Sequence, residues 1–127
     1  MPATTTPPAP ADLARYRDTA QAREAARQAD LAAYRARALK AAQGAASVLK
    51  ASFGAQRVVL FGSLARGGPV SWRTDADLAA WGVPADRYFA AVGRLQAIDP
   101  AVAVDLVRAE DAPPALVSVI EKEGVDL

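Results

Sequence analysis

Val58-Val59-Leu60-Phe61-Gly62-Ser63-Leu64-Ala65-Arg66-Gly67, followed after a loop by Thr74-Asp75-Ala76-Asp77-Leu78, is the stretch that decides how this chain folds. Four consecutive apolar residues predict a buried strand, and the break at Gly62-Ser63 predicts a turn into a short helix that Gly67 can end. A glycine-led turn of this kind directs free backbone N–H groups beyond the strand end. Such groups suit a phosphate, and Arg66 can add a fixed positive charge. Asp75 and Asp77 stand two residues apart, so if Asp77 opens a strand both carboxylates fall on one face, close enough to repel. Protonation of one acid or a divalent cation between them relieves the repulsion. Beside a phosphate site the cation is the better answer.

Each piece also has a plainer reading. Gly62-Ser63 serves equally as an ordinary strand-to-helix turn, Asp75 and Asp77 as solvated loop acids, and Arg66 as a surface cation. Asp105 is out of character for the strand predicted over Ala101–Val107, where Val102, Val104 and Leu106 share one face and Ala103, Asp105 and Val107 the other. Buried alone, that carboxylate would cost several kcal/mol, so it either has a partner or faces water at an edge.

Length and composition bound the rest. At 127 residues and 52% apolar content, one domain with a modest core plus an appendage is expected. Fifteen Lys and Arg against 14 Asp and Glu give no case for a polyanion binder, and no direct contact with nucleic acid is expected. The balance is uneven along the chain: residues 1–50 hold eight basic and four acidic side chains, residues 51–127 seven and ten. The acids therefore lie in the half that carries the motif. Cysteine and histidine are both absent, which removes disulfides, thiol nucleophiles, the usual zinc sites and any histidine base. Catalysis, if any, falls to carboxylates, hydroxyls, Arg or Lys. No apolar run reaches the length of a membrane span and residues 1–10 do not read as a signal peptide, so a cytoplasmic protein is expected.

The organisation expected is a disordered tail over residues 1–10, a helical extension over 11–44 and a domain over 45–127. Residues 11–50 hold 15 alanines, no proline and one glycine, Gly44, and predict a long helix running to about Ser52, with Asp12 favouring or capping its start. Its large apolar residues are sparse before Val48, Leu49 and Phe53, so the first part either docks a partner through its tyrosines or is simply solvated. Further on, Gly67–Arg73 predicts a loop with Trp72 exposed, Asp77–Trp81 a strand, and Ala85–Ala97 a helix whose spaced apolar residues are Tyr88, Phe89, Val92 and Leu95. A last short helix over Ala115–Glu123 has Asp111 as a candidate cap and Gly124 at its end. Together these elements predict an α/β (α+β) fold, a short mixed sheet flanked by helices with a long Ala-rich N-terminal helical extension.

Leu60-Phe61-Gly62-Ser63 with Arg66-Gly67, then Thr74-Asp75-Ala76-Asp77-Leu78 and a later strand carrying Asp105, resembles the nucleotidyltransferase superfamily related to DNA polymerase beta. Within it the chain looks like the minimal nucleotidyltransferase antitoxins of HEPN/MNT toxin–antitoxin modules, over about residues 45–127. The resemblance implies that Gly62, Ser63 and Arg66 bind the phosphates of a nucleoside triphosphate. It implies further that Asp75, Asp77 and Asp105 hold two Mg²⁺ ions, with Asp105 drawing the proton from the attacking hydroxyl. A two-metal clamp of this type stabilises the entering and leaving oxygens of an in-line displacement at phosphorus and needs no histidine. Thr74 stands where the family usually has serine, and the loop from Ser63 to Asp75 is about one residue longer than usual, as is the N-terminal helix in its own measure.

Only some twenty residues follow Asp105, too few to build a pocket for an antibiotic or a groove for primer and template. The acceptor is therefore expected on another macromolecule. By resemblance it is a tyrosine hydroxyl of a HEPN toxin, which receives AMP from ATP, in a hetero-oligomer with no membrane component. Two alternatives stand beside this: an antitoxin that neutralises its toxin by binding alone, and a small-molecule nucleotidyltransferase of the aminoglycoside type.

Overall fold

The computed structural model describes Pro7 and residues 9–127. Its elements are α1 (Pro10–Ser52), β1 (Arg57–Phe61), α2 (Gly62–Arg66), β2 (Ala76–Trp81), a 3₁₀ turn (Ala85–Arg87), α3 (Tyr88–Gln96), β3 (Val104–Arg108), a second 3₁₀ turn (Ala109–Asp111), α4 (Pro114–Glu123) and β4 (Val125–Asp126). The strands form one mixed sheet in the order β3-β2-β1-β4, with β1 antiparallel to β2 and β4 and β2 parallel to β3. The expected α+β architecture is borne out. The tail expected over residues 1–10 lies outside the described residues except for Pro7, Ala9 and Pro10, and Pro10 already belongs to α1.

α1 is 43 residues long and starts on a proline, whose missing N–H is no loss in a first turn. Asp12 does not cap it. Ala9 occupies the cap position without a side-chain hydrogen bond, and Asp12 pairs instead with Arg15 one turn on. The helix has no break at Gly44. Every described residue up to Asp30 is exposed, and burial begins at Leu31 and continues through Tyr34, Ala38, Ala41, Ala42, Ala45, Ala46 and Leu49. Most of that seam is alanine, whose small side chain lets the helix axis approach the sheet closely. A reading keyed to large apolar residues overlooks it.

The two faces of the sheet are covered unequally. Val58, Leu60, Ala76, Leu78, Ala80, Val104 and Leu106 point to one face and pack beneath α1 and α3 in a single core with Leu49, Phe53, Val83, Ala91 and Leu95. On the other face only Val59, Ala79 and Ile120 are buried together, with Phe61, Trp81 and Leu116 partly covered by α4. In α3 the inward residues are Ala91 and Leu95, whereas Phe89, expected in the apolar stripe, is 84% exposed and lies edge-on to Tyr88. Asp111 does not cap α4; it binds Arg108 at 2.5 Å, and Pro113 takes the cap position. Strand β4, which nothing in the local pattern announces, adds the last edge by pairing Asp126 with Val59 and Val125 with Leu60.

Candidate active site

The acidic residues lie on the thinly covered face. Register places Asp77 opposite Phe61 of β1 and directly beside Asp105 of β3. Side chains at paired positions of neighbouring strands point the same way, so both carboxylates rise from one face on backbones about 4.8 Å apart. Asp75 precedes β2 by one residue, and the alternation of an extended chain brings it to the same side. The hydrogen bond from the Ala76 N–H to the Ala103 carbonyl, 2.9 Å, fixes this approach to β3. Asp105 is exposed, so the cost of a lone buried carboxylate does not arise. Asp77 is half-buried, and its pKa is raised by that burial first, then by the charges of Asp105 and Asp75, with Arg66 working in the opposite direction.

β1 ends at Phe61 and the chain turns at once into α2. Gly62 makes that turn with φ of +76°, a left-handed conformation that side-chain-bearing residues adopt only at a cost. A second constraint falls on the same atom, because a Cβ on Gly62 would overlap the Asp77 carboxylate. The glycine therefore lets an acid rest against the start of α2. At five residues α2 is too short for a substantial macrodipole, and what it offers an anion is its unpaired N–H groups. Ser63 is exposed beside them. Gly67 ends the helix in the left-handed conformation, as expected.

Arg66 sits at the rim, 3.3 Å from a Glu123 carboxylate oxygen of α4 and 3.4 Å from the Ser63 hydroxyl. Half its side chain is open to water, so this pair contributes little to stability and leaves the guanidinium free to exchange partners. The structure thus brings Gly62, Ser63, Arg66, Asp75, Asp77 and Asp105 to one corner of the open face. It does not bring the three acids into a closed ligand set: among the described residues no three acidic side chains stand close enough to hold a metal ion. The donor set itself, all hard carboxylate oxygens, is of the kind that suits Mg²⁺.

The loop between α2 and β2 is held by α1, a feature the sequence did not signal. The Tyr34 hydroxyl donates to the Thr74 carbonyl at 2.8 Å, and Arg35 donates to the carbonyls of Leu64 at 3.0 Å and Gly68 at 3.2 Å. Trp72, 57% exposed as expected of a loop residue, meets the Tyr34 ring edge-on at 5.8 Å. Burial raises the pKa of the Tyr34 phenol, and the charges of Asp75 and Asp99 raise it further. A cleft of 230 Å³ lies at the β3 edge of the sheet, lined by Tyr88 and Leu106 from the sealed side and by Val107, Arg108, Pro113 and Leu116.

No family model matches the chain, and no curated protein matches it. Solved structures do. A structure described as a minimal nucleotidyltransferase superposes with a TM-score of 0.56 at 29% identity, over 76% of this chain and 95% of that one. The MntA-HpeT toxin–antitoxin complex, in a mutant where two aspartates two positions apart are replaced by glutamate, gives 0.56 at 18% identity over 66% and 69% of the two chains. A tyrosine-to-alanine mutant of that complex also gives 0.56, and a toxin–antitoxin structure with AMP-PNP gives 0.54 at 21% identity over 63% and 66%. The minimal nucleotidyltransferase, at 29% identity, supports the reading of the chain as a nucleotidyltransferase, and the others share its fold. With an open face of acids beside a glycine turn and this set of structural neighbours, the chain has the fold of the minimal nucleotidyltransferases, as the resemblance in its sequence implied.

Proposed function

We propose that the chain is an antitoxin nucleotidyltransferase that transfers AMP from ATP to a tyrosine hydroxyl of a cognate HEPN toxin and releases pyrophosphate. The observation that carries this reading is the contact of the Asp77 carboxylate with Gly62, beside Asp105 in the parallel register. It joins acids and phosphate-binding turn at a single point. Gly62 and Ser63 hold the β and γ phosphates through N–H and hydroxyl groups, and Arg66 leaves Glu123 to neutralise the departing pyrophosphate. Asp75, Asp77 and Asp105 would hold Mg²⁺, which would supply charge neutralisation for the displacement at phosphorus. Asp105, being exposed at the open side, accepts the proton of the incoming hydroxyl.

An acceptor on a protein fits an open sheet face better than a small molecule does. The cleft at the β3 edge is small, 230 Å³, and among the described residues no second domain closes over it. Three of the four neighbours support this reading: they are toxin–antitoxin structures, one with AMP-PNP and one altered in an aspartate pair spaced like Asp75 and Asp77. The test incubates the chain with the HEPN-domain protein proposed as its partner, Mg²⁺ and ATP labelled on the α phosphate. Label is expected on the partner with the parent protein and is lost, by a factor of about 10³ or more, with Asp75→Asn and Asp77→Asn together. No label with the parent overturns the transfer, and undiminished neutralisation of the toxin by the double variant overturns the role of catalysis.

A further inference from the structure

The N-terminal helix is tied to the candidate site by two consecutive residues. Arg35 donates to the Leu64 carbonyl, in the last turn of α2, and to the Gly68 carbonyl just beyond it. Tyr34 donates to the Thr74 carbonyl, immediately before Asp75. The loop between them carries two glycines and a proline; apart from these bonds it is held by Val70 packed on the core, by the turn over Ser71–Thr74 and by the Ala76 N–H bond to Ala103 beyond its end. Both of its ends therefore take their position from α1. Tyr34 is well placed for this, being 7% exposed and fixed by the core, and Arg35 reaches two carbonyls that a helix end otherwise leaves to water.

We propose that Tyr34 and Arg35 are positioning residues of the nucleotidyltransferase site, each for a different part of it. Tyr34 sets the approach of Asp75 and hence the metal-binding acids. Arg35 sets α2 and hence Ser63 and Arg66, the nucleotide-binding side. The N-terminal helix is thereby part of the site from Tyr34 onward. This inference rests on the proposed function, and it adds a division of labour which that reading does not contain.

Tyr34→Phe keeps the ring, its packing and its contact with Trp72, and removes one hydrogen bond. It is expected to raise the Mg²⁺ concentration for half-maximal AMP transfer about tenfold and to leave the KM for ATP near its parental value, since displacement of a positioned group by a fraction of an ångström is costly to the step it serves. Arg35→Met is expected to do the reverse: about a tenfold rise in KM for ATP and in the dissociation constant for Mg·ATP by calorimetry, with little change in Mg²⁺ requirement. Trypsin supplies a readout independent of turnover. Cleavage after exposed Arg73 in the unliganded protein should quicken in Tyr34→Phe at unchanged Tm. Parental metal and nucleotide dependence in both variants overturns the inference and leaves the proposed function standing, as does a loss in which the Mg²⁺ requirement and KM for ATP rise together in each variant while Tm falls. A parent protein that takes up no Mg·ATP overturns the function and the inference with it.

Discussion

Asp77 and Leu78 are neighbours in β2 and point to opposite faces of the same sheet, and the two faces have opposite designs. Leu78 is fully buried among residues from five elements, with alanines spaced along α1 so that helix and sheet meet closely. Asp77 looks out on two other acids and an arginine, on a face where α4 covers only Val59, Ala79 and their nearest neighbours. A sheet with both faces sealed would be more stable. Leaving one face open at the end of β1 and β2 provides a place where like charges gather and a phosphate can reach backbone N–H groups, at a cost that the other face offsets.

Paired substitutions at these two positions should separate the designs. Leu78→Ala leaves a cavity in the sealed face and is expected to destabilise the fold by about 2–5 kcal/mol, measured by urea denaturation, with kcat per folded molecule close to parental. Asp77→Asn should do the converse, abolishing transfer with no loss of stability. If Leu78→Ala proves mild and Asp77→Asn unfolds the chain, the contrast between the faces is wrong. A smaller effect is expected at Gly62, where the faces are linked. Gly62→Ala requires both a strained φ and movement of the Asp77 side chain, so it should cost about 1–3 kcal/mol in stability and more than tenfold in transfer rate. Gly93 of α3 makes the control: a Cβ there meets nothing within 4 Å and its backbone is helical, so Gly93→Ala should be neutral or slightly stabilising.

The open face was the more legible of the two. Its marks are chemical and local: a glycine-serine step after four apolar residues, two acids two positions apart, and one acid in a valine-rich strand. The strand containing Leu60 and the one containing Leu78 followed from the same pattern. The sealed face was misread where its material is small. Ala38, Ala41, Ala42, Ala45, Ala46 and Ala91 are all buried, yet alanine is equally at home on a solvated helix, so the packed part of α1 begins at Leu31, well before Val48, Leu49 and Phe53 announce it. Phe89 errs the other way, a large apolar side chain at helical spacing that the sheet leaves outside. Strand β4 was invisible because two residues carry no periodicity, and it exists only through pairing with Val59 and Leu60. The bonds from Tyr34 and Arg35 to carbonyls some 29 to 40 positions away likewise have no local signature.

The smallest effect concerns the charge on the open face and sharpens the comparison most. The pKa of Asp77 is raised in the folded chain above the ordinary value of 3.8, through burial and the charges of Asp105 and Asp75. A carboxyl with raised folded pKa favours the fold while protonated. That contribution is complete below the unfolded pKa and is lost as pH rises through the folded one. Above that range the ionised acid is held in the fold against its neighbours, and Asp77→Asn, which has no charge to hold, escapes the penalty. The Tm of the variant should therefore match the parent near pH 3 and exceed it by a modest margin at neutral pH. Mg²⁺ should close the gap by raising the parent's Tm, because a cation bound by the acids removes the repulsion. Among the described residues the sealed-face core holds no carboxyl, and its buried Tyr34 stays protonated across this range, so Leu78→Ala should lower Tm by the same amount at both pH values. A Tm difference for Asp77→Asn that is flat with pH would mean that the three acids do not feel one another, and the site would lose its reason to bind a cation.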